Sequence, residues 1–307
     1  MSAALTRLTQ SDIYQRLQSV GSSWLKSHVL YADHKTVVLN KPAGLVCQLN
    51  NSDYKLKSER NHTFLNPVFE DIQYWLSPNA EPHSVHRLDK MTTGCFIVPI
   101  THASAKHLST QFQHGAMKKT YLALVRGGEK SFPEKAGEIN DPILYSDGRA
   151  EIHPVGKRAI TRWKRLSSSP NAPVSLVELD LVTGNKHQLR IHLSKVLQTP
   201  ILGDTHYSRK SVNASVASLT SIPNDRLFLH SADISFFQYY STGRRYQLKI
   251  GAPAPDDFIR ICDDLGISLP ASYKQARFSV LNNSDRDDTS SLRLWYPGGG
   301  NPPPTQS

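Results

Sequence analysis

At 307 residues the chain is long enough to bury a sizeable core, as one large domain or two small ones. Its 36 Lys plus Arg against 26 Asp plus Glu give a formal net charge of +10 and a pI near 9.5, which favours a polyanionic partner, nucleic acid being the simplest. Cys47, Cys95 and Cys262 are widely spaced without a CxxC pair, which argues against a disulfide framework or zinc site, and no apolar run approaches 18 residues, so the chain reads as soluble, not secreted and in a reducing compartment.

The first 28 residues carry Arg7, Arg16 and Lys26 against a single acid, Asp12, with Leu5, Leu8, Leu17 and Val20 available to one helical face. A mitochondrial presequence and an ordinary amphipathic first helix both fit, and Asp12 counts against the former. From Val29, the run Val37-Val38-Leu39 reads as a strand ending in the turn Lys41-Pro42-Ala43-Gly44, because Pro42 stops the ladder and Gly44 permits positive φ. Gln48 to Glu59 is polar and reads as a loop. Pro67 to Leu76 is predicted as a helix from Val68, Ile72, Trp75 and Leu76, with Pro78 beyond it as a stop. Ser84 to Leu88 leads into a polar turn closed by Gly94, and Cys95-Phe96-Ile97-Val98 continues as an apolar strand.

His102 to His114 reads as a helix with Ala105, Leu108 and Phe112 on one side; its histidines lack the i, i+4 spacing of a metal-binding face. Thr120 to Val125 follows as a strand with Tyr121 near its start. Lys157 to Leu166 sets Lys157, Arg158, Arg162, Lys164 and Arg165 around Trp163, a basic strand with an aromatic in it. Such interleaving suits an RNA surface, and it equally suits a solvated edge strand protected by charge. Val174 to Val182 alternates as a half-buried strand ended by Thr183-Gly184. Leu189, Leu193, Val196 and Leu197 then predict a helix from near His187, with Arg190 in its first turn. A cation opposes the helix dipole there, so a fixed carboxylate partner is expected, the alternative being an exposed arginine. Arg226 to Phe237 and Tyr246 to Gly251 read as closing strands, Asp256 to Leu265 as a helix capped by Gly266, and the chain from about Asn282 as disordered.

Asp89 puts a carboxylate beside basic side chains at the end of an apolar element. There it can serve as a nucleophile or general base, or simply cap a turn.

Four stretches in order bear on that choice. His86-Arg87-Leu88-Asp89-Lys90-Met91-Thr92-Thr93-Gly94 resembles the HRLDxxTSG motif of the RluA-type pseudouridine synthases. Lys41-Pro42-Ala43-Gly44 is similar to that family's early KPAG turn, and Lys119 to Val125 to its KxYxALV strand. Thr183 to Leu193 resembles its TGRxHQLRxHL motif, and Pro200-Ile201-Leu202-Gly203-Asp204 and Leu229-His230-Ser231-Ala232 fall where it has PILGD and LHA. Two departures stand out: Thr93 replaces the usual serine, and Asn185-Lys186 shifts the family's arginine charge by one position.

The resemblance implies an α+β chain with the pseudouridine synthase fold, a mostly antiparallel central sheet with flanking helices and an RNA-binding cleft. The organisation expected is a leader over residues 1–28, one catalytic domain over 29–281 and a disordered tail over 282–307. By resemblance Asp89 is the nucleophile, Tyr121 stacks on the target base and helps remove its C5 proton, Arg190 pairs with Asp89, and Arg87 fills the space of the flipped base. Lys157, Arg158, Arg162, Lys186 and His187 are expected to contact RNA. An isomerisation of this kind needs no cofactor and no metal. The expected partner is ribosomal or transfer RNA, with no membrane and no protein partner, for a monomer located in mitochondria or else in cytoplasm or nucleus. The alternative is a non-catalytic RNA-binding protein of the same fold, disfavoured because Asp89, Tyr121 and Arg190 are all present.

Overall fold

The computed structural model describes residues 12–47, 64–76, 79–146, 149–208, 211–240 and 242–282. The predicted loop over 48–59, the stop at Pro78 and the tail beyond residue 282 lie outside these, as does the start of the leader. The architecture is α+β with mostly antiparallel strand pairing, as expected. Contacts divide the chain into two units, Met1–Met117 with Ile234–Pro253 and Gln275–Ser307, and Lys118–Asp233 with Ala254–Lys274, so the stretch 29–281 contributes to both.

In the first unit, β1 (Val29–Ala32) and β3 (Thr93–Pro99) flank β2 (Thr36–Lys41) in antiparallel register, with Val38 opposite Ile97 and Lys41 opposite Gly94. Every residue of β3 is buried, which accounts for its unbroken apolar run: both faces of the strand are covered. The leader helices α1 (Asp12–Val20) and α2 (Ser23–His28) bury Leu17 and Leu25 completely, and Ser22 both caps α2 and donates 2.5 Å to Asp71 of α3 (Leu65–Leu76). Helix α4 (His102–Gln113) starts at a reciprocal capping box between Thr101 and Ser104 and turns Ala105 and Leu108 inward, as its spacing predicts.

The second unit pairs β4 (Lys118–Arg126), β9 (Val174–Leu181), β8 (Thr161–Ser168) and β5 (Ala136–Ile139) in that spatial order, all antiparallel. A separate hairpin is made by β6 (Ile143–Ser146) and β7 (Arg149–Ile152). Strand β10 (Leu229–Tyr239) belongs to this unit up to Asp233 and to the first from Ile234, where β11 (Arg245–Gly251) and β12 (Arg277–Asn282) follow it. The remaining helices are α5 (Gln188–Ile191), α6 (Ala214–Ala217) and α7 (Asp256–Asp264). The core joins Leu122, Leu124, Val174 and Leu176 to Phe258, Ile261, Cys262 and Leu265, the helical i, i+3, i+4, i+7 stripe of α7.

Three expectations are corrected here. The helix predicted from His187 holds regular geometry only over α5, then widens into a π turn over His192–Val196 in which the Leu197 amide reaches back to the His192 carbonyl. The extra residue per turn carries Val196 and Leu197 off the buried stripe, leaving them half-buried. The basic strand is not an edge, because β5 covers β8, and Trp163 is not an exposed stacking ring but is buried against Phe132 and over Gly137.

Candidate active site

Asp89 opens a β-turn in which the Thr92 amide donates to the Asp89 carbonyl at 3.0 Å. That turn is secured from β2. The Lys41 side chain is fully buried, and its Nζ donates to the carbonyls of Pro42, Lys90 and Thr92 at 3.0, 2.9 and 2.8 Å, while the Gly44 amide also donates to Lys90 at 2.9 Å. Three donors on one ammonium meet three main-chain acceptors, so a charge that burial would otherwise penalise is solvated by the turn it holds. On the approach, His86 Nε2 accepts from the Ile97 amide at 2.9 Å, and its ring stacks between Phe96 and Phe112. The histidine of the motif is therefore a strut, Leu88 is buried beside it, and Asp89 is left half-buried with Arg87 and Lys90 exposed. Cys47 is buried nearby, and burial pushes its thiol up from the ordinary range.

Arg190, in the second unit, has the carboxylate partner that its position calls for. Asp204 accepts from Nε at 2.8 Å and from Nη2 at 2.9 Å in a two-pronged fork, and the Tyr207 ring lies 5.2 Å from the guanidinium carbon. Asp204 is buried and also accepts from the His206 and Tyr207 amides, each at 3.0 Å. Burial works against its ionisation, but the Arg190 guanidinium and these amides prevail and hold the carboxyl below its usual range.

The chain entering α5 is tied down by Gln188, which is buried. Its Oε1 accepts from Thr183 Oγ1, the Asn185 amide and Asn185 Nδ2, and its Nε2 donates to the Ile160 carbonyl and Thr161 Oγ1, all within 2.9–3.2 Å. Asn185, one of the departures noted above, also donates to the Arg158 carbonyl at 2.8 Å, so it is absorbed into the scaffold. Lys186 is exposed, with its carbonyl accepting from the Tyr145 hydroxyl at 2.6 Å. His187 takes a left-handed φ of 55°, and its Nδ1 is 2.8 Å from the Tyr207 hydroxyl.

Tyr121 is buried on β4 opposite Leu179. Lys119, two residues earlier on the same strand face, has its ammonium destabilised by burial and lies close to Gly184. Lys157, Arg158 and Arg162 are exposed, and Arg162 Nε meets Glu138 at 2.9 Å. Asp89 and Arg87 thus lie in the first unit; Tyr121, Arg190 and the basic group lie in the second. Sequence reasoning missed Lys41, Asp204 and Tyr207. Asp204 had a signal, since an arginine ill-placed for its helix calls for a nearby acid; Lys41 had only its place in the Lys41-Pro42-Ala43-Gly44 stretch, which gave no hint that its ammonium is buried. Among the described residues, no group of three or more His, Cys, Asp or Glu is placed to hold a metal ion.

The sequence pattern of the family described as RNA pseudouridylate synthase matches residues 35–195. The ribosomal large subunit pseudouridine synthase D of Zymomonas mobilis is 32% identical over 243 residues, 75% of this chain and 69% of that protein. The ribosomal large subunit pseudouridine synthase C of Vibrio parahaemolyticus is 30% identical over 214 residues, 69% of this chain and 62% of that protein. Among solved structures, human RNA Pseudouridylate Synthase Domain Containing 4 superposes with a TM-score of 0.62 at 25% identity, covering 80% of this chain and 95% of that one. The chain belongs to the RNA pseudouridylate synthase family. It is an isomerase, converting uridine in RNA to pseudouridine.

Proposed function

We propose that this synthase modifies large-subunit ribosomal RNA, with Asp89 as nucleophile, Tyr121 against the target base and Arg190 as a further catalytic residue. The observation that carries the assignment of Asp89 is the turn it opens, which Lys41 anchors through three main-chain carbonyls. A carboxylate carried on a turn fixed before substrate arrives loses little backbone freedom on reaction, which is what a nucleophile needs. The isomerisation breaks the bond from N1 to C1′, turns the uracil and rejoins it through C5; the C5 proton leaves and N1 gains one, so no oxidant or reductant is involved. The base must leave its stack to be reached, and exposed Arg87 is the side chain assigned to the vacated space.

The ribosomal substrate rests on the names of the two bacterial relatives. Mapping pseudouridine across cellular RNA with and without the protein tests it: loss of modification at large-subunit uridines is expected, and a loss confined to transfer RNA would overturn the proposal. Mitochondria are the compartment we propose, on the strength of the basic, acid-poor leader. Because Leu17 and Leu25 are fully buried, a processing site would fall before Leu17. A reporter fused to residues 1–28 that stays wholly cytosolic would count against that compartment.

A further inference from the structure

We propose that the outer face of β10, β11 and β12 in the first unit is a second RNA-contact surface, which takes phosphates and an unstacked base of the substrate away from the uridine being modified. The proposal rests on RNA as the substrate and on none of the catalytic assignments.

The chain that returns to this unit over 234–253 and 275–282 contains Arg244, Arg245, Lys249 and Arg277 and no Asp or Glu. Strand alternation sorts these cations. Tyr246, Leu248 and Ile250 of β11 face the core, so Arg245 and Lys249 stand exposed on the opposite face. Gly251 follows on that face, paired with Arg277 of β12. A Cβ on Gly251 would come 2.6 Å from Cγ and Cζ of Arg277, so the arginine lies across the strand in the room that the glycine leaves. The three cations are thus set along β11 at intervals of roughly 13 and 7 Å, at about 3.3 Å per residue. Aromatic rings adjoin them. The Arg245 guanidinium carbon lies 4.4 Å from the Phe237 ring centre, and Tyr239, next on the same face of β10, is 44% exposed with the His107 ring 5.4 Å away. A row of cations with an exposed ring beside it suits single-stranded RNA, which offers phosphates and the π-faces of its bases together.

The surface is remote from the Asp89 turn. Lys41 closes β2 beside that turn, whereas Lys35, just before the other end of the strand, donates to the Tyr239 carbonyl at 3.1 Å. The strand has 6 residues, so its ends lie about 17 Å apart. Edge protection does not explain the charges, because β11 is paired on both sides, with β10 and with β12. A merely solvating face mixes both signs, whereas these segments carry one. Asp33, on the turn before β2, accepts from the Lys35 and Thr36 amides and from the Tyr31 hydroxyl, so its carboxylate is engaged in that turn.

The test uses the full chain and total RNA from cells lacking the protein, labelled with 5-tritiated uridine. Single-turnover tritium release against enzyme concentration gives the saturated rate and the half-saturating concentration, at several salt concentrations. With Arg245→Gln, Lys249→Gln and Arg277→Gln combined, half-saturation should rise on the order of 10- to 100-fold at about 0.1 M salt, and the salt slope should flatten by about 2, three contacts at roughly 0.7 each. The saturated rate should fall no more than about twofold, since the reacting geometry lies elsewhere. Tyr239→Ala should raise half-saturation about tenfold without altering the slope, and Tyr239→Phe, which keeps the ring, should not. A folded triple variant with wild-type half-saturation and slope would overturn the proposal, as would one whose loss falls on the saturated rate instead. Should the triple variant melt early, Lys249→Glu decides alone at its exposed position: half-saturation within about twofold of wild type overturns the surface. Equal losses in Tyr239→Ala and Tyr239→Phe would overturn the stacked base. If wild type itself released no tritium, the activity would fail, and filter binding of the same RNA would still read the surface.

Discussion

The ammonium of Lys41 donates to the carbonyl of Thr92 at 2.8 Å, across 51 residues of chain, so the turn that carries Asp89 hangs on a side chain from the preceding strand. Lys41→Met nearly preserves the buried volume but leaves the carbonyls of Pro42, Lys90 and Thr92 without this donor. The Lys90 carbonyl keeps the Gly44 amide, so two acceptors lose this donor; at about 1–3 kcal/mol for each left unpaired, a loss of roughly 2 kcal/mol or more is expected, together with loss of product formation. Urea unfolding measures the first and tritium release the second. An unchanged midpoint would show that the turn does not depend on the ammonium.

A second expectation concerns pH. His192 is buried, with Nδ1 2.9 Å from Thr161 Oγ1 and Nε2 3.0 Å from the Asp141 carbonyl. The carbonyl can only accept, so Nε2 carries the proton and Nδ1 accepts from the threonine hydroxyl, which satisfies the neutral ring. Burial lowers its pKa from the ordinary value. The unfolded chain therefore binds this proton first, and the contribution is fully present above about pH 6.5 and is lost as pH falls through the lower folded value. Between about pH 7 and 5, wild type should lose stability faster than His192→Gln, whose amide can donate and accept without charging. Parallel unfolding free energies across that range would refute the assignment.

How much of this was legible beforehand depended on whether a residue's partner lay on its own element. Periodicity found α3, α4 and β9 because their apolar residues face one core. It missed the hairpin of β6 and β7 and the last strand β12, whose pairing lies in backbone ladders that polar residues such as Ser146, Glu151 and Ser279 do not advertise. Asp89 could be singled out by its motif, and Arg190 by its misfit in a first turn. Which acid met Arg190 was not readable: Asp204 lies 14 residues on, beyond the reach of regular helical spacing.

Asp89→Asn is expected to abolish product while leaving the fold intact. The amide keeps the shape of the carboxylate and removes its nucleophilicity, and the turn is held by main-chain atoms that the change does not touch. Tritium release beside a thermal melt measures both. Near-wild-type turnover in a folded variant would remove Asp89 from the mechanism.

RNA affinity should depend on a different set of charges, and Glu138 offers a way to count them. Lys157, Arg158, Arg162 and Lys186 are exposed, so each is available to neutralise a phosphate, with a salt slope of roughly −0.7 per contact on single strands. Arg162 is already paired with Glu138 at 2.9 Å, and must exchange that carboxylate for a phosphate before it contributes. Exposed pairs of this kind are worth at most about 1 kcal/mol, so Glu138→Gln should leave the fold unchanged while releasing the arginine and tightening RNA binding by a few-fold at low salt. Replacing Arg158 and Arg162 together should weaken binding to all RNAs alike and flatten the slope by about 1.4, the sum of two contacts at about 0.7 each. Asp89→Ala should bind as wild type does, or slightly better for the loss of a negative charge, while forming no product. Filter-binding titrations over several salt concentrations read all three. If Glu138→Gln weakens binding, the carboxylate orders Arg162 for RNA instead of competing with it; if Asp89→Ala loses affinity in step with activity while folded, its carboxylate belongs to RNA recognition and the division between binding and chemistry fails.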